Sequence, residues 1–142
     1  MKLFLATIVL ALFSTAYGKI YTKCELARIL RDQAFPMSQI PDFICIAQNE
    51  SGFNTAALNT KNTNGSKDYG MFQINDKYWC STTSSPGKDC NITCANLLND
   101  SIVDDLDCVK KIYAVHKFKA WVAWVNKCQG KTLPSVSECF SG

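Results

Sequence analysis

The sequence predicts an α+β domain in which a helical part and a small antiparallel sheet flank a cleft. Three observations predict it. Apolar residues recur at helical spacing near both ends of the chain. Between them, from Leu58 to Tyr78, short apolar pieces alternate with Asn, Thr, Gly and Ser, which is typical of strands joined by tight turns. Finally, eight cysteines in a chain of 142 residues indicate a fold held together by disulfides.

Four helices are expected from apolar stripes and from residues that are typical of helix starts. The second begins with Pro41 and Asp42, which suit a first turn, and carries Glu50 near its C-terminal end. The third has acidic residues in its first turn, where they favour a helix. The predicted ranges are Lys23 to about Asp32, Pro41 to about Glu50, Asp104 to about Lys117 and Val122 to about Cys128.

The N-terminal segment, residues 1–18, has the character of a signal peptide. Lys2 precedes an apolar run from Leu3 to Phe13, and small residues lead to a cleavage site after Gly18. That run is shorter than the roughly 20 residues that a membrane-spanning helix needs. We therefore expect a secreted, extracellular chain without a membrane anchor, whose single domain occupies residues 19–142.

The charge of the predicted mature chain limits its partners. Of the 15 basic residues one, Lys2, lies in the leader, and the remaining 14 stand against 12 acidic residues, a net charge of +2. Such a mild positive charge favours attraction to an anionic polymer such as a bacterial wall. It is far from the dense basic stripe of a nucleic-acid-binding protein, so no nucleic-acid partner is expected.

All eight cysteines follow the leader, and an even count in a secreted chain indicates four disulfides. They are Cys24, Cys45, Cys80, Cys90, Cys94, Cys108, Cys128 and Cys139. A structural zinc site is not expected, because no C-x-x-C pair occurs and His116 is the only histidine. The cysteine count alone leaves about 105 pairings open.

Two carboxyl groups are candidates for acid and base chemistry. Glu50 follows an apolar helical run in QNESGFN, whereas Asp68 lies among small polar residues in SKDYGMFQIN. Such unlike surroundings predict that one carboxyl stays protonated while the other is ionised, as cleavage of a glycosidic bond requires. Because Glu50 ends a helix and Asp68 lies in the sheet, we expect them to face each other across the cleft. The alternative is that both are solvated surface charges.

Ordered motifs along the mature chain resemble those of the C-type lysozyme and α-lactalbumin family. They are CELAR near the start, NESGFN, GSKDYGMFQIN followed by YWC, and AWVAWVNKC, with all eight cysteines in the family's order. The resemblance implies the lysozyme-like fold and no cofactor. It also implies four disulfides, which are Cys24–Cys139, Cys45–Cys128, Cys80–Cys94 and Cys90–Cys108.

The resemblance further implies a retaining glycoside hydrolase. Glu50 would protonate the glycosidic oxygen, and Asp68 would attack or stabilise the anomeric carbon, with the two carboxyls about 5–5.5 Å apart; lysozymes are the type case of this chemistry. Trp121 occupies the position of the indole that shields this glutamate from water. The alternative role of an ordinary core aromatic is preferred for Trp124 but not for Trp121.

Six residues are expected to contact the saccharide by the same resemblance. They are Asn62, Gln73, Asn75, Tyr78, Trp79 and Trp121. Asn62 corresponds to an amide close to the nucleophile, and Tyr78 offers a flat platform for a sugar ring. For Gln73 and Asn75 the alternative role is to cap the sheet.

One departure from the family pattern lies in the segment IYAVHKFKAW. Ala114 or Val115 stands where other members have an acidic residue at the far sugar subsite, so we expect weaker or altered binding at that end. His116, the next residue, is expected to be an exposed helix residue and not a ligand group.

The segment before the third helix, ANLLNDSIVDDLD, resembles the calcium loop of α-lactalbumin and of the calcium-binding lysozymes. Asp104 and Asp105 match two carboxylate ligands, but Asn99 replaces a third, and calcium affinity follows ligand charge. We therefore predict no physiological metal site, since the two aspartates suit a helical first turn equally well. Four N-x-S/T sequons, whose use the sequence leaves open, are at Asn49, Asn64, Asn91 and Asn99.

Two functions are compatible with these observations. The first is a monomeric secreted muramidase that cleaves β-1,4 bonds between N-acetylmuramic acid and N-acetylglucosamine in peptidoglycan, in antibacterial defence or in digestion of bacteria. The second is a non-catalytic saccharide-binding or α-lactalbumin-like regulatory relative. The intact carboxyls Glu50 and Asp68, together with the incomplete calcium loop, favour the first.

Overall fold

The computed structural model describes residues 18–141, so the predicted leader, apart from Gly18, lies outside the described residues. Within this range the α-helices are α1 (Lys23–Asp32), α2 (Ile40–Ser51), α3 (Val103–His116) and α4 (Val122–Lys127). Short 3₁₀-helices are formed by Met37–Gln39, Cys94–Leu97, Lys117–Ala120 and Ser137–Cys139. None of the helices in residues 18–141 is long and apolar enough to cross a membrane.

The four predicted helices are confirmed to within one residue at most ends. α1 has the predicted bounds and begins with a capping box, in which the Thr22 hydroxyl accepts the Glu25 N–H and the Glu25 carboxylate accepts the Thr22 N–H. α3 ends one residue earlier than expected, at His116. The reason is a φ of 57° at Lys117, which an α-helix cannot include.

α2 lies at the centre of the helical part and carries Glu50 near its C-terminal end. Its apolar side chains are almost wholly buried, with Phe43 and Ile44 at most 1 % exposed. Burial of a large apolar side chain is worth on the order of 1.5–3 kcal/mol. The helix stops at Ser51 because Gly52 adopts the left-handed conformation (φ 61°), which glycine tolerates best.

The middle of the chain forms the predicted antiparallel sheet, which has three two-residue strands. They are β1 (Leu58–Asn59), β2 (Asp68–Tyr69) and β3 (Ile74–Asn75), in the order β1-β2-β3. The register sets Asp68 opposite Asn59 on one side and opposite Asn75 on the other. Directly opposed residues point to the same face of a sheet, so two amides flank one carboxyl group.

Two hydrogen bonds join the helical part to the turn between β2 and β3. The Ser51 hydroxyl, at the end of α2, donates to the Met71 carbonyl (2.7 Å). The Trp121 indole N–H donates to the Phe72 carbonyl (3.0 Å). Met71 and Phe72 are themselves fully buried, so the junction is both apolar and hydrogen-bonded. The α+β architecture is confirmed, and this junction fixes the helix that carries Glu50 against the sheet.

The four disulfides have the pairing that the family resemblance implies. They are Cys24–Cys139, Cys45–Cys128, Cys80–Cys94 and Cys90–Cys108, and no cysteine in residues 18–141 is free. The first joins the two ends of the domain, and the second ties α2 to the end of α4. Each disulfide contributes roughly 2–4 kcal/mol of stability, mainly by restricting the unfolded chain.

Candidate active site

A cleft of about 490 Å³ lies between the sheet and the helical part. It brings together seven of the eight predicted site residues, which are Glu50, Asn62, Asp68, Gln73, Asn75, Trp79 and Trp121. The cleft is also lined by residues to which the sequence assigned no role there: Ile74, Ile112, His116, Ala120 and Val122. The expected placement of the carboxyl pair on the two sides of one cleft is therefore found.

Glu50 is half-buried at the end of α2 and receives no hydrogen bond from residues 18–141. Burial raises the pKa of Glu50 to about 7, and the negative charge of Asp68 adds to the rise. Burial is the larger of the two causes. It removes water from around the charged form, which is then less stable than the neutral acid. A carboxyl with this pKa keeps its proton in mildly acidic solution and can donate it.

Apart from His116, the helical residues that line the cleft beside Trp121 are apolar, and Trp121 itself is held by protein contacts. The side chain is 3 % exposed, its indole N–H is bound by the Phe72 carbonyl, and its ring packs edge-on against Phe43 with centroids 6.1 Å apart. Ala120 and Val122, on either side of it in the chain, also line the cleft. Because protein contacts hold both its N–H and its ring, Trp121 presents a fixed apolar surface that excludes water.

Two other predicted aromatic residues lie outside the lining of the cleft. Trp124 stacks on Phe118 (centroids 5.2 Å apart, planes at 21°) and its indole donates to Asp42 (2.8 Å), in agreement with the structural role expected of it. Tyr78 is 58 % exposed, with the Lys77 ammonium 5.2 Å from its ring centroid. Its expected role as a sugar platform stays a prediction.

Asp68, on the sheet side, is held by three side-chain amides. Asn59 (3.2 Å) and Asn62 (3.0 Å) donate to its Oδ2, and Asn75 (2.8 Å) donates to its Oδ1. An ionised carboxylate only accepts hydrogen bonds, and all three partners are donors, so the arrangement matches the ionised form. The amides also fix the orientation of the carboxylate toward the cleft that it lines.

A second layer of hydrogen bonds holds these amides. The Ser66 hydroxyl accepts from Asn62 (3.3 Å) and Asn75 (2.8 Å) and donates to Asn64 (2.6 Å). The Asn59 side-chain amide donates to the side-chain Oδ1 of Asn62 (3.0 Å). Sequence reasoning missed Asn59 and Ser66. No sequence signal indicated Asn59, because its position depends on the strand register, which sets it opposite the carboxylate.

Gln73 and Asn75 both line the cleft, and hydrogen bonds within the protein hold both side chains. The Gln73 amide donates to the Ala57 (3.2 Å) and Gly70 (3.0 Å) carbonyls, so it caps the sheet while lining the cleft. The Asn75 NH₂ group donates to the Asp68 carboxylate, and the Asn75 Oδ1 accepts a hydrogen bond from the Lys77 N–H (2.8 Å). Asn75 therefore positions that carboxylate, and direct contact of either side chain with a sugar stays a prediction.

Trp79 and His116 form an aromatic pair in the lining of the cleft. His116 is the last residue of α3 and is exposed, as expected. Its ring meets Trp79 edge-on, with centroids 6.0 Å apart and planes at 89°. The structure also places His116 in the lining of the cleft, a position that the sequence did not indicate. That it is not a ligand group stays a prediction.

The residues that resemble a calcium loop do not fit a cation. Asp105 is 1 % exposed, its carboxyl oxygens have no hydrogen-bond partner in residues 18–141, and burial raises its pKa to about 9, with neighbouring Asp104 adding to the rise. Within residues 18–141 neither Asp104 nor Asp105 belongs to a close group of three candidate ligands, and calcium affinity follows the number of charged ligands. In residues 18–141 the one close group of three candidate ligands contains Cys24 and Cys139, which are bonded to each other. No step is therefore derived through a metal.

Comparison with known proteins identifies the family. The model of the C-type lysozyme/alpha-lactalbumin family matches residues 19–139. The lysozyme of Galleria mellonella is 52 % identical over 121 residues, which is 85 % of this chain and 100 % of that protein. Lysozyme c-1 of Anopheles gambiae is 50 % identical over 143 residues, 99 % of this chain and 100 % of that protein. A crystal structure of a calcium-binding lysozyme from equine milk is 43 % identical with a TM-score of 0.73, covering 80 % of this chain and 92 % of that one. On this evidence the chain belongs to the C-type lysozyme/α-lactalbumin family.

Proposed function

We propose that the chain is a muramidase, a glycoside hydrolase that cleaves the β-1,4 bonds between N-acetylmuramic acid and N-acetylglucosamine in bacterial peptidoglycan. Chitooligosaccharides, which have the same linkage, are its second substrate. The observation that carries this proposal is the pairing, in one cleft, of a half-buried Glu50 that no donor stabilises with an Asp68 that three amides hold. A non-catalytic saccharide-binding or regulatory relative needs no such pair.

The proposed mechanism has two steps and retains the configuration at the anomeric carbon. In the first, Glu50 gives its proton to the glycosidic oxygen while the Asp68 carboxylate attacks the anomeric carbon, so the glycosidic bond breaks and a glycosyl ester forms. In the second, water attacks the same carbon, Glu50 takes a proton from it, and the ester bond breaks. Lysozymes are the type case of this scheme.

The surrounding residues support these two groups. Asn59, Asn62 and Asn75 donate hydrogen bonds to the attacking carboxylate and keep it oriented. Trp121 keeps water from the acid, so that it holds its proton until the leaving oxygen arrives. The exposed ring of Tyr78 and the cleft-lining ring of Trp79 are proposed to bind sugar rings by stacking.

The proposal also covers where the protein acts. The predicted leader, the four disulfides and the lysozymes to which the chain is similar support secretion, and the protein is proposed to act as a monomer. Disulfides persist in oxidising, extracellular surroundings, where bacterial walls are encountered.

Two measurements test this function together. The first is the loss of turbidity of bacterial cell walls caused by the purified mature protein, with Glu50→Gln as the inactive control. The second is the anomeric configuration of the first product, followed by NMR on a chitooligosaccharide. We expect clearing by the wild type alone and a β-anomer as the initial product. Absence of clearing over pH 4–8 would favour the non-catalytic alternative, and an α-anomer would exclude the two-step mechanism.

A further inference from the structure

One ionisable side chain in the lining of the cleft, His116, has no role in the proposed hydrolytic mechanism. The ionisable side chains among the lining residues are Glu50, Asp68 and His116. Two are carboxyl groups, so within residues 18–141 His116 is the only lining residue that can carry a positive charge. It forms no ion pair with either carboxyl, since the ion pairs of the described residues involve other side chains. Its donors are free for a ligand.

A contact with an aromatic ring positions His116. Its ring packs edge-on against Trp79, and it is the last residue of α3. The next two basic residues do not share its position. The Lys117 ammonium lies 5.2 Å from the Tyr113 ring centroid, and Lys119 is exposed; neither lines the cleft. The imidazole therefore faces the cleft while its basic neighbours do not.

The chain around His116 favours an anionic ligand. Residues 109–131 contain six lysines and no aspartate or glutamate. Ala114 and Val115, which precede His116, are exposed and uncharged, so α3 carries no carboxylate there that would repel an anion. The carboxyls of Glu50 and Asp68 come from the other elements around the cleft and are committed to the reaction. The helical wall can thus accept a negative charge.

We propose that His116 is a specificity-determining residue that binds the carboxylate of an acidic saccharide, the lactyl group of a muramic acid unit. This inference rests on the proposed function, because it names the part of the substrate that the same cleft reads. A protonated imidazole offers two N–H donors and a positive charge, both of which match a carboxylate. A neutral chitooligosaccharide gains nothing from that charge. Trp79 packs against either sugar, whereas His116 distinguishes between them.

The test compares binding of three oligosaccharides of equal length. They are a chitooligosaccharide, a muramic-acid-containing oligosaccharide, and the latter with its carboxylates converted to amides. The Kd of each is measured by calorimetry at about pH 5 in the Glu50→Gln protein, so that no substrate is consumed. His116→Phe keeps an aromatic ring against Trp79 but removes the donors and the charge. Lys119→Gln is the matched control, because it removes a positive charge from the neighbouring 3₁₀-helix, outside the cleft lining.

We expect His116→Phe to weaken binding of the acidic sugar about 3- to 10-fold, the range between exposed and charge-assisted hydrogen-bonded pairs. Binding of the neutral and amidated sugars should change less than about 2-fold, as should all three Kd values in Lys119→Gln. An equal loss of affinity for all three sugars would mean that His116 contributes only the packing of its ring, and it would overturn the inference. So would an equal loss in Lys119→Gln, which would indicate a diffuse effect of net charge. Failure of the proposed function would be seen in a different measurement: the protein that retains Glu50 would hydrolyse none of the sugars.

Discussion

The two sides of the cleft treat a carboxyl group in opposite ways. On the sheet side Asp68 accepts hydrogen bonds from three amides. On the helical side Glu50 has no donor among residues 18–141, and burial raises its pKa to about 7. A wall of amides replaces the water that a negative charge needs, whereas an apolar wall only removes it. The protein thereby keeps an acid and a carboxylate close together at one pH.

A third carboxyl shows that burial alone does not make a site. Asp105 resembles Glu50 in having no hydrogen-bond partner for its carboxyl oxygens in residues 18–141, and its pKa is raised to about 9 by burial and by Asp104. It is 1 % exposed and does not line the cleft. A proton held there cannot reach a substrate. Glu50 differs by being only half-buried, so its raised pKa is available for chemistry.

The largest expected effect comes from removing the proton of the apolar side. Glu50→Gln should lower kcat roughly 10²–10⁴-fold, because general acid–base catalysis is typically worth that much. Binding of chitooligosaccharides should be nearly unchanged, since the amide keeps the size and polarity of the acid. Glu138→Gln, the same change at an exposed position, is the control and should remain active. A rate above about a tenth of wild type in Glu50→Gln would contradict the assigned role.

A smaller loss is expected from removing one amide of the polar side. Asn75→Leu deletes the 2.8 Å hydrogen bond to Asp68, and hydrogen bonds to charged groups are worth about 1.5–3 kcal/mol, or roughly 10- to 100-fold in rate. If Asn75 positions Asp68, kcat should fall while the Kd of a chitooligosaccharide stays within about 2-fold. If it binds sugar directly, Kd should rise and kcat should hold. Steady-state kinetics combined with binding to the Glu50→Gln background separates the two.

The third prediction concerns stability at the buried carboxyl outside the cleft. The pKa of Asp105 is raised from its ordinary value of 3.8 to about 9 in the folded protein, so folding keeps a proton that the unfolded chain loses. Its contribution to stability is complete below about pH 4 and is lost as the pH rises toward 9, at no more than about 1.4 kcal/mol per pH unit. Asp105→Asn, which cannot ionise, should escape this loss.

Urea unfolding at several pH values checks this prediction. The stability of Asp105→Asn relative to wild type should increase steadily from pH 4 to pH 8, by no more than about 1.4 kcal/mol per pH unit. Asp107→Asn, at an exposed position of the same helix, is the control and should show no such trend. A pH-independent difference for Asp105→Asn would mean that Asp105 does not retain its proton.

The parts of the molecule that sequence could predict are those set by local patterns. Helix bounds follow from apolar spacing and end residues, which is why α1 matched at both ends. Glu50, Asp68 and the disulfides came with motifs of several residues each. The pairing of the cysteines required the family, because their number alone leaves every partner open.

The parts that sequence could not predict depend on the register and on tertiary contacts. Asn59 reaches Asp68 only because two-residue strands pair in one register, and strands so short carry no detectable periodicity. His116 lines the cleft and meets the Trp79 ring edge-on, a tertiary contact that has no sequence signal. On each side of the site there is therefore one residue whose place the sequence did not indicate.

The last prediction tests whether Trp121 is what makes the helical side apolar. Trp121→Ala should admit water beside Glu50 and lower its pKa from about 7 toward the ordinary 4.5, because burial is the larger cause of the rise. The deprotonation of Glu50 sets the basic limb of the kcat/KM profile, so that limb should move to lower pH, by roughly one unit or less for a partial loss of desolvation. Trp124→Ala, an equally large truncation outside the cleft lining, should leave the limb in place, with circular dichroism confirming that both variants fold.

Asp68→Asn tests the other cause of the raised pKa, the charge of Asp68. Because this variant is expected to be inactive, the pKa of Glu50 is followed by NMR titration, and it should fall less than in Trp121→Ala. A larger fall there would make the charge of Asp68, and not the apolar side, the main reason that Glu50 keeps its proton.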